Sequence, residues 1–352
     1  MPMMTSRERV LRALTFQHPD RMPRDLWTIP WAEQNRPETL AELRRRWPSD
    51  FCYAPNVYQP SSVRQGDPYD IGEAVDEWGC RFVNLQRGVH GEVKEPLVTE
   101  LSEWRRVRPP LELLPENPTA ARDTVARAHD HETRFMFAAC CPRPWERYQF
   151  LRGTENAMMD MMDPTTEVRG LLSLIHEFYL REYEFWVTTP VDALPFMDDW
   201  GSQTALLIPP PVWRELFKPL YRDYGDMARS HGKAVFMHSD GYTLEILPDL
   251  IEIGVTALNS QLFCMDLAEV ARIGKGRITF WGEMDRQHVL PAKDPEVGRR
   301  AVREVARHLY DPAGGIIAQF ELSPGSHGPT AIAIFEEWDR VEAEARVSLR
   351  RV

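Results

Sequence analysis

Short apolar runs recur along this chain, with amphipathic stretches between them. Eight runs read as buried strands: residues 23–28, 51–54, 135–140, 193–197, 234–237, 257–259, 278–281 and 316–320. Each is brief, nearly continuous in apolar character and bounded by polar or turn residues, as a strand covered on both faces requires. Helical periodicity fills the later intervals. One pattern spans about 166–187. A second opens at Pro209-Pro210-Pro211, where proline suits a first helical turn, and stops near His231-Gly232, where glycine suits the C-terminal cap. Further helical patterns cover 243–253, 295–309 and 330–347, and Thr5-Ser6-Arg7-Glu8 opens the chain with a capping-box pattern.

Strands alternating with helices imply parallel pairing, and about eight such units in 352 residues predict an α/β fold of the (β/α)8 TIM-barrel type. A doubly wound open sheet is the competing architecture, but no G-x-G-x-x-G opens a helix here. Residues 61–97 break the rhythm: polar and apolar positions alternate around Gly79, Gly88 and Gly91. They predict a small β-hairpin insertion in the N-terminal third, near the barrel mouth. No internal repeat or low-complexity linker interrupts the chain, so residues 1–352 are expected to form one domain.

Composition narrows the class. Apolar residues make up 43% of the chain, enough for a full core at this length. The net charge of −11 argues against nucleic acid or an anionic membrane as a partner. No apolar run is long enough to span a bilayer, and the first residues lack a signal-peptide core. The five cysteines show no C-x-x-C and no disulfide framework, which fits reduced thiols and a cytoplasmic location.

In a parallel barrel the residues just after each strand build the site. The fifth run ends in His238-Ser239-Asp240-Gly241, an imidazole and a carboxylate at i, i+2. That pair is half of a divalent-metal site, with His327, Glu283 or Cys264 as candidate third ligands. It equally suits a loop or a polar substrate held by hydrogen bonds. The fourth run leads into Asp198-Asp199 and Gln203, the sixth into Asn259 and Gln261, the seventh into Glu283 and Asp285, and the first contains Arg24 and Asp25. His238, Asp240 and Asp199 are the catalytic candidates. Arg24, Asp25, Asp198, Gln203, Asn259, Gln261 and Asp285 are candidates for substrate binding. Asp198 and Asp199 equally admit a helix-capping or loop-ordering role, and Cys140-Cys141 read as buried structural thiols.

Several segments together resemble the uroporphyrinogen decarboxylase superfamily. They are Thr5-Ser6-Arg7-Glu8-Arg9 to Asp20-Arg21-Met22-Pro23, Asp76-Glu77-Trp78-Gly79, Asp198-Asp199-Trp200-Gly201, Trp213 to Pro219, His238-Ser239-Asp240-Gly241, 247–254, and Trp281-Gly282 before Asp285. The resemblance implies a (β/α)8 barrel with its pocket at the C-terminal mouth. It also implies one of two chemistries. One branch decarboxylates the acetate arms of a tetrapyrrole with arginines, an aspartate and no metal. The other uses zinc to transfer methyl groups between corrinoid proteins and thiols or folates. The decarboxylases' R-Q-A-G-R-Y motif is missing; only Arg21, Arg24 and Asp25 lie in that region. The methyltransferases' H-x-C becomes His238-x-Asp240, and Ser326-His327 stand where a later cysteine is expected, so a thiolate-rich site is excluded at these positions.

The methyltransferase-like branch is the favoured expectation. Its metal, zinc first, would sit on His238, Asp240 and His327 or Glu283, with a small-molecule substrate and a corrinoid or corrinoid protein as methyl partner. A homodimer is compatible with this reading. A metal-free decarboxylase using Arg21, Arg24 and Arg134, and a non-catalytic barrel that binds a corrinoid or tetrapyrrole, are the alternatives.

Overall fold

The computed structural model describes residues 4–349. All eight expected runs are strands. In chain order β1 is Arg24–Thr28 and β2 Phe51–Tyr53, followed by the insertion strands β3 (Gly72–Val75), β4 (Arg81–Asn84) and β5 (Glu92–Glu95). The barrel resumes with β6 (Phe135–Phe137), β7 (Ala193–Met197), β8 (Ala234–Ser239), β9 (Ala257–Ser260), β10 (Thr279–Trp281) and β11 (Ile316–Leu322). The eight barrel strands pair in parallel in the order β1-β11-β10-β9-β8-β7-β6-β2, with helices outside. This is a (β/α)8 TIM barrel. Parallel strands need crossover connections, and the intervening helices supply them.

The seam between β1 and β2 is not a strand ladder. It closes through Asp50, whose N–H donates to the Arg24 carbonyl (2.9 Å) while its carboxylate accepts the Arg24 N–H (2.8 Å). The barrel interior is strongly aromatic. Phe51, Phe135, Phe137, Phe236 and Trp281 pack together with Ile317 and Val10, forming a floor beneath the mouth.

The expected hairpin insertion is present and carries a third strand: β3, β4 and β5 form an antiparallel sheet. The helix expected over 209–232 is two helices, Pro210–Leu216 and Lys218–Ser230. Pro219 has no N–H to donate back to Glu215, so the first helix cannot run through it. The helix expected over 243–253 is shorter, Leu247–Glu252, whereas Pro295–Leu309 matches its expectation. No helix among the described residues is long and apolar enough to cross a membrane.

Candidate active site at the barrel mouth

The parallel register places the ends of β7, β8 and β9 side by side: Met197 lies opposite His238, and His238 opposite Asn259. The loops that follow β7 and β8 touch backbone to backbone. Gly201 donates its N–H to the Asp240 carbonyl (3.0 Å), and Asp199 Oδ1 accepts the Asp240 N–H (2.9 Å). Glycine is needed on both sides of this contact. A Cβ on Gly201 would sit 2.0 Å from the Tyr242 nitrogen, and one on Gly241, whose φ is +75°, 2.1 Å from the Gly201 oxygen.

The contact delivers three ligand-bearing side chains to one place. His238 Nε2 is 3.5 Å from Asp199 Oδ1 and 3.6 Å from Asp240 Oδ1, and the three groups lie within 4.8 Å of one another. Two ligands of a tetrahedral zinc ion, each about 2.1 Å from it, stand roughly 3.4 Å apart. The state of the imidazole also suits a metal. His238 Nδ1 is 2.6 Å from Asn259 Oδ1. The Asn259 amide nitrogen donates to the Trp281 carbonyl and to Gln319 Oε1 (2.9 Å), which fixes its oxygen toward the histidine. An amide oxygen only accepts, so Nδ1 carries the proton and Nε2 presents its lone pair to the cluster when the ring is neutral.

Carboxylates outnumber cations here. Asp199, Asp240, Glu283 and Glu321 face His238 and the Arg286 guanidinium, which pairs with Asp240, with Glu283 (3.1 Å) and more loosely with Glu321 (3.8 Å). Burial works against a charged His238, but the carboxylates of Asp240, Asp199 and Glu283 outweigh it and raise its pKa. Glu283 is 1% exposed, and its Oε2 has no hydrogen-bond partner. Burial pushes its carboxyl up to about 8, against the pull of Arg286. One imidazole and two carboxylates form a nitrogen-and-oxygen donor set, harder than a thiolate site, and the local negative excess suits a divalent cation.

The cavity above this cluster has a volume of about 530 Å³ and is lined by Trp27, Tyr53, Phe137, Phe196, Met197 and Trp281, with Asp25, Arg143, His238 and Glu321 as polar groups. Trp27 tilts against His238 with ring centroids 5.2 Å apart and meets Trp281 edge-on at 4.8 Å. Asp25 accepts four hydrogen bonds, from Trp27 Nε1, Trp281 Nε1, Ser49 Oγ and the Leu26 N–H. Burial still lifts its carboxyl to about 6. Asp25 therefore holds the aromatic wall in place.

The predicted residues divide clearly. His238, Asp240 and Asp199 come together, Asn259 supports them, and Glu283 borders them. His327 stands outside the cluster: its Nδ1 is engaged with Thr330 (3.1 Å) at the start of the last helix, Gly328–Leu349. Cys264 stands outside it too, its sulfur 3.5 Å from the side-chain oxygens of both Gln203 and Gln261. Asp198 is buried as a cap, accepting the Trp145 and Glu146 N–H groups (2.9 and 2.8 Å) and the Tyr221 hydroxyl (2.5 Å). Asp285 orders its own loop through the Gln287 and His288 N–H groups.

Arg24 points away from the mouth, into Glu342 (2.7 Å) and Asp339 (2.8 Å). Arg21 is spent on Asp50 and Arg134 on Glu132, so the three arginines expected to hold a decarboxylase's substrate are structural. Arg286, Arg143, Glu321 and Trp27 were not singled out. Strand-end position pointed to the right loop for Arg286, but spacing selected its neighbour Asp285. Trp27 and Glu321 stand opposite each other in the β1–β11 register, a pairing no local pattern reveals.

Among curated proteins, no sequence matches the chain. Among solved structures, a methyltransferase from Methanosarcina mazei superposes with a TM-score of 0.68 at 14% identity, covering 96% of this chain and 99% of its own. An intracellular xylanase from Thermoanaerobacterium saccharolyticum covers 95% of this chain and 98% of its own at 9% identity, with a TM-score of 0.41. A putative vitamin-B12 independent methionine synthase from Listeria monocytogenes covers 66% and 67% at 10% identity, with a TM-score of 0.38. The first of these likenesses shows the barrel fold. The family model described as uroporphyrinogen decarboxylase (URO-D) matches residues 5–325, and the chain belongs to that family.

Proposed function

We propose that this protein is a metal-assisted methyltransferase of the URO-D family, moving a methyl group from a corrinoid or other methylated donor to a thiol or hydroxyl acceptor. The observation that carries the reading is the Asp199–His238–Asp240 triad with its open Nε2. A barrel that superposes on a solved methyltransferase over nearly its whole length supports it, as does the commitment of Arg21 and Arg24 to ion pairs that hold the barrel together.

His238, Asp199 and Asp240 would hold the divalent ion, zinc first. When bound, such an ion supplies Lewis acidity that lowers the pKa of an acceptor thiol or hydroxyl. The chain's own groups do the rest. Asn259 keeps the proton on Nδ1 of His238. Arg286 orients Asp240 while balancing Glu283. Glu321, which lines the cavity and is only loosely held by Arg286 (3.8 Å), takes the proton that the acceptor releases. The acceptor anion then forms its bond to the methyl carbon, and the donor leaves with the electron pair.

Elemental analysis of wild type and His238→Ala, together with a methylcorrinoid–thiol assay read by the loss of cobalt–methyl absorbance, tests the proposal. About one divalent ion per chain in wild type, and loss of both ion and turnover in the variant, is the expected result. Equal metal content in the two proteins would overturn the metal assignment. Bound visible absorbance without turnover would favour a binding barrel, and consumption of uroporphyrinogen would favour decarboxylation.

A further inference from the structure

The cavity at the mouth continues beyond the barrel. Cys141 and Arg143 line both it and a second chamber of about 290 Å³, which lies between the insertion sheet and the helices Pro144–Arg152 and Thr166–Trp186. Arg143 stands at the junction. Its guanidinium has five N–H donors, yet its one ion pair among the described residues is a loose contact with Glu146 at 3.8 Å. Glu146 Oε2 is itself without a hydrogen-bond partner.

The other enclosed arginines each hold a close ion pair. Arg147 pairs with Asp76 and Glu77, Arg152 with Asp160, Arg9 with Asp20 and Asp50, and Arg24 with Glu342 and Asp339. Arg143 alone of this set lacks one, its side chain 32% exposed on the cavity that also holds His238. A guanidinium with open donors matches a planar oxyanion, which it can hold through two parallel hydrogen bonds. The neighbouring wall is aromatic: Trp27, Tyr53, Phe137 and Trp281 line the same space.

We infer that Arg143 anchors the acid group of the molecule this site accepts, a small carboxylic acid with a flat apolar body. The carboxylate sits on Arg143 and the body lies against the aromatic wall, within the cavity that His238 lines. This rests on reading the mouth as a substrate site and names the class of substrate; it does not depend on methyl transfer.

Benzoate is a suitable probe, because Trp27 and Trp281 report occupancy through their fluorescence. The full chain is titrated with benzoate, uncharged benzamide and ring-free acetate, each with EDTA and again with zinc. Saturable binding of benzoate is expected, with benzamide and acetate roughly tenfold or more weaker. Arg143→Gln is expected to weaken benzoate by roughly tenfold or more, and Arg143→Lys by less. Absence of saturable benzoate binding, equal affinity for benzoate and benzamide, or unchanged benzoate affinity in a folded Arg143→Gln would overturn the inference. Should that variant fail to fold, the benzoate–benzamide comparison on wild type decides. Benzoate binding with no methyl transfer would sink the reaction and leave the substrate class standing.

Discussion

At the scale of single residues, the site depends on one histidine tautomer. Asn259 is buried, and its amide is fixed by Trp281 and Gln319, so it acts on the cluster only through His238 Nδ1. Asn259→Leu should leave the fold in place but free the imidazole to turn or to protonate Nε2. A loss of roughly 10- to 100-fold in metal affinity is expected, measured by competition with a chelating dye. A merely structural role for Asn259 would lower the melting temperature and leave the affinity of the folded protein unchanged. The His238–Asp240 half of the cluster was legible in the sequence because i, i+2 spacing at a strand end is a local signal. The third member, Asp199, was legible as a catalytic candidate but not as a ligand. Sequence order offered His327 or Glu283 for that place, whereas the register between β7 and β8 supplies Asp199. That register is a property of two strands lying side by side, and no spacing along one of them contains it.

At the scale of elements, the same lesson separates strands from loops. All eight barrel strands could be read from short apolar runs, because a doubly covered parallel strand has little choice of composition. The loop contact at Gly201 and Gly241 could be seen only as two glycines in two motifs. In the structure they are one joint, with backbones too close for any Cβ. Gly201→Ala should therefore separate Asp199 from Asp240 and weaken metal binding by roughly tenfold or more, with the circular dichroism of the barrel retained. Equal metal affinity in that variant would show that the joint does not set the cluster.

The helix Thr166–Trp186 carries a second device of this kind. Glu182 is 8% exposed, and burial pushes its carboxyl up to about 7; Tyr58, Arg147 and Arg143 pull it down, and Glu77 adds to the rise. The folded protein keeps this proton up to about pH 7, while the unfolded chain releases it near its ordinary pKa of about 4.3. The stabilisation is thus complete below about pH 4 and is lost as pH rises through 7, by at most about 4 kcal/mol. Glu182→Gln keeps the shape of the neutral acid and should remove that slope. Urea midpoints at pH 5 and pH 8.5 check it: similar stability is expected at pH 5, and a more stable variant at pH 8.5.

At the scale of the whole molecule, a barrel must close on itself, and here the joint between β1 and β2 is one buried carboxylate. Asp50 is fully buried just before β2. It accepts from Arg9 (2.7 Å), from both terminal nitrogens of Arg21 (2.7 and 2.9 Å), from the Ser6 hydroxyl (2.7 Å) and from the Arg24 N–H (2.8 Å). It thereby ties the first helix, Ser6–Leu14, to both sides of the seam. Arg21 and Asp50 looked unrelated in the sequence, and Arg21 read as a candidate for substrate carboxylates. Its true partner becomes visible only when the sheet closes on itself. Removing the two partners should have unequal effects. Arg21 is 30% exposed at its side chain, so Arg21→Ala lets water replace it and should cost about 1 kcal/mol or less. Asp50→Ala leaves the buried Arg9 with Asp20 alone and strands the Arg24 N–H, and should cost about 3 kcal/mol. Denaturant unfolding of the two variants measures the difference. Similar losses in both would mean that the seam is held by the surrounding packing rather than by Asp50. A large loss confined to Asp50→Ala would identify this carboxylate as the closure of the barrel, at the end opposite the Asp199–His238–Asp240 cluster.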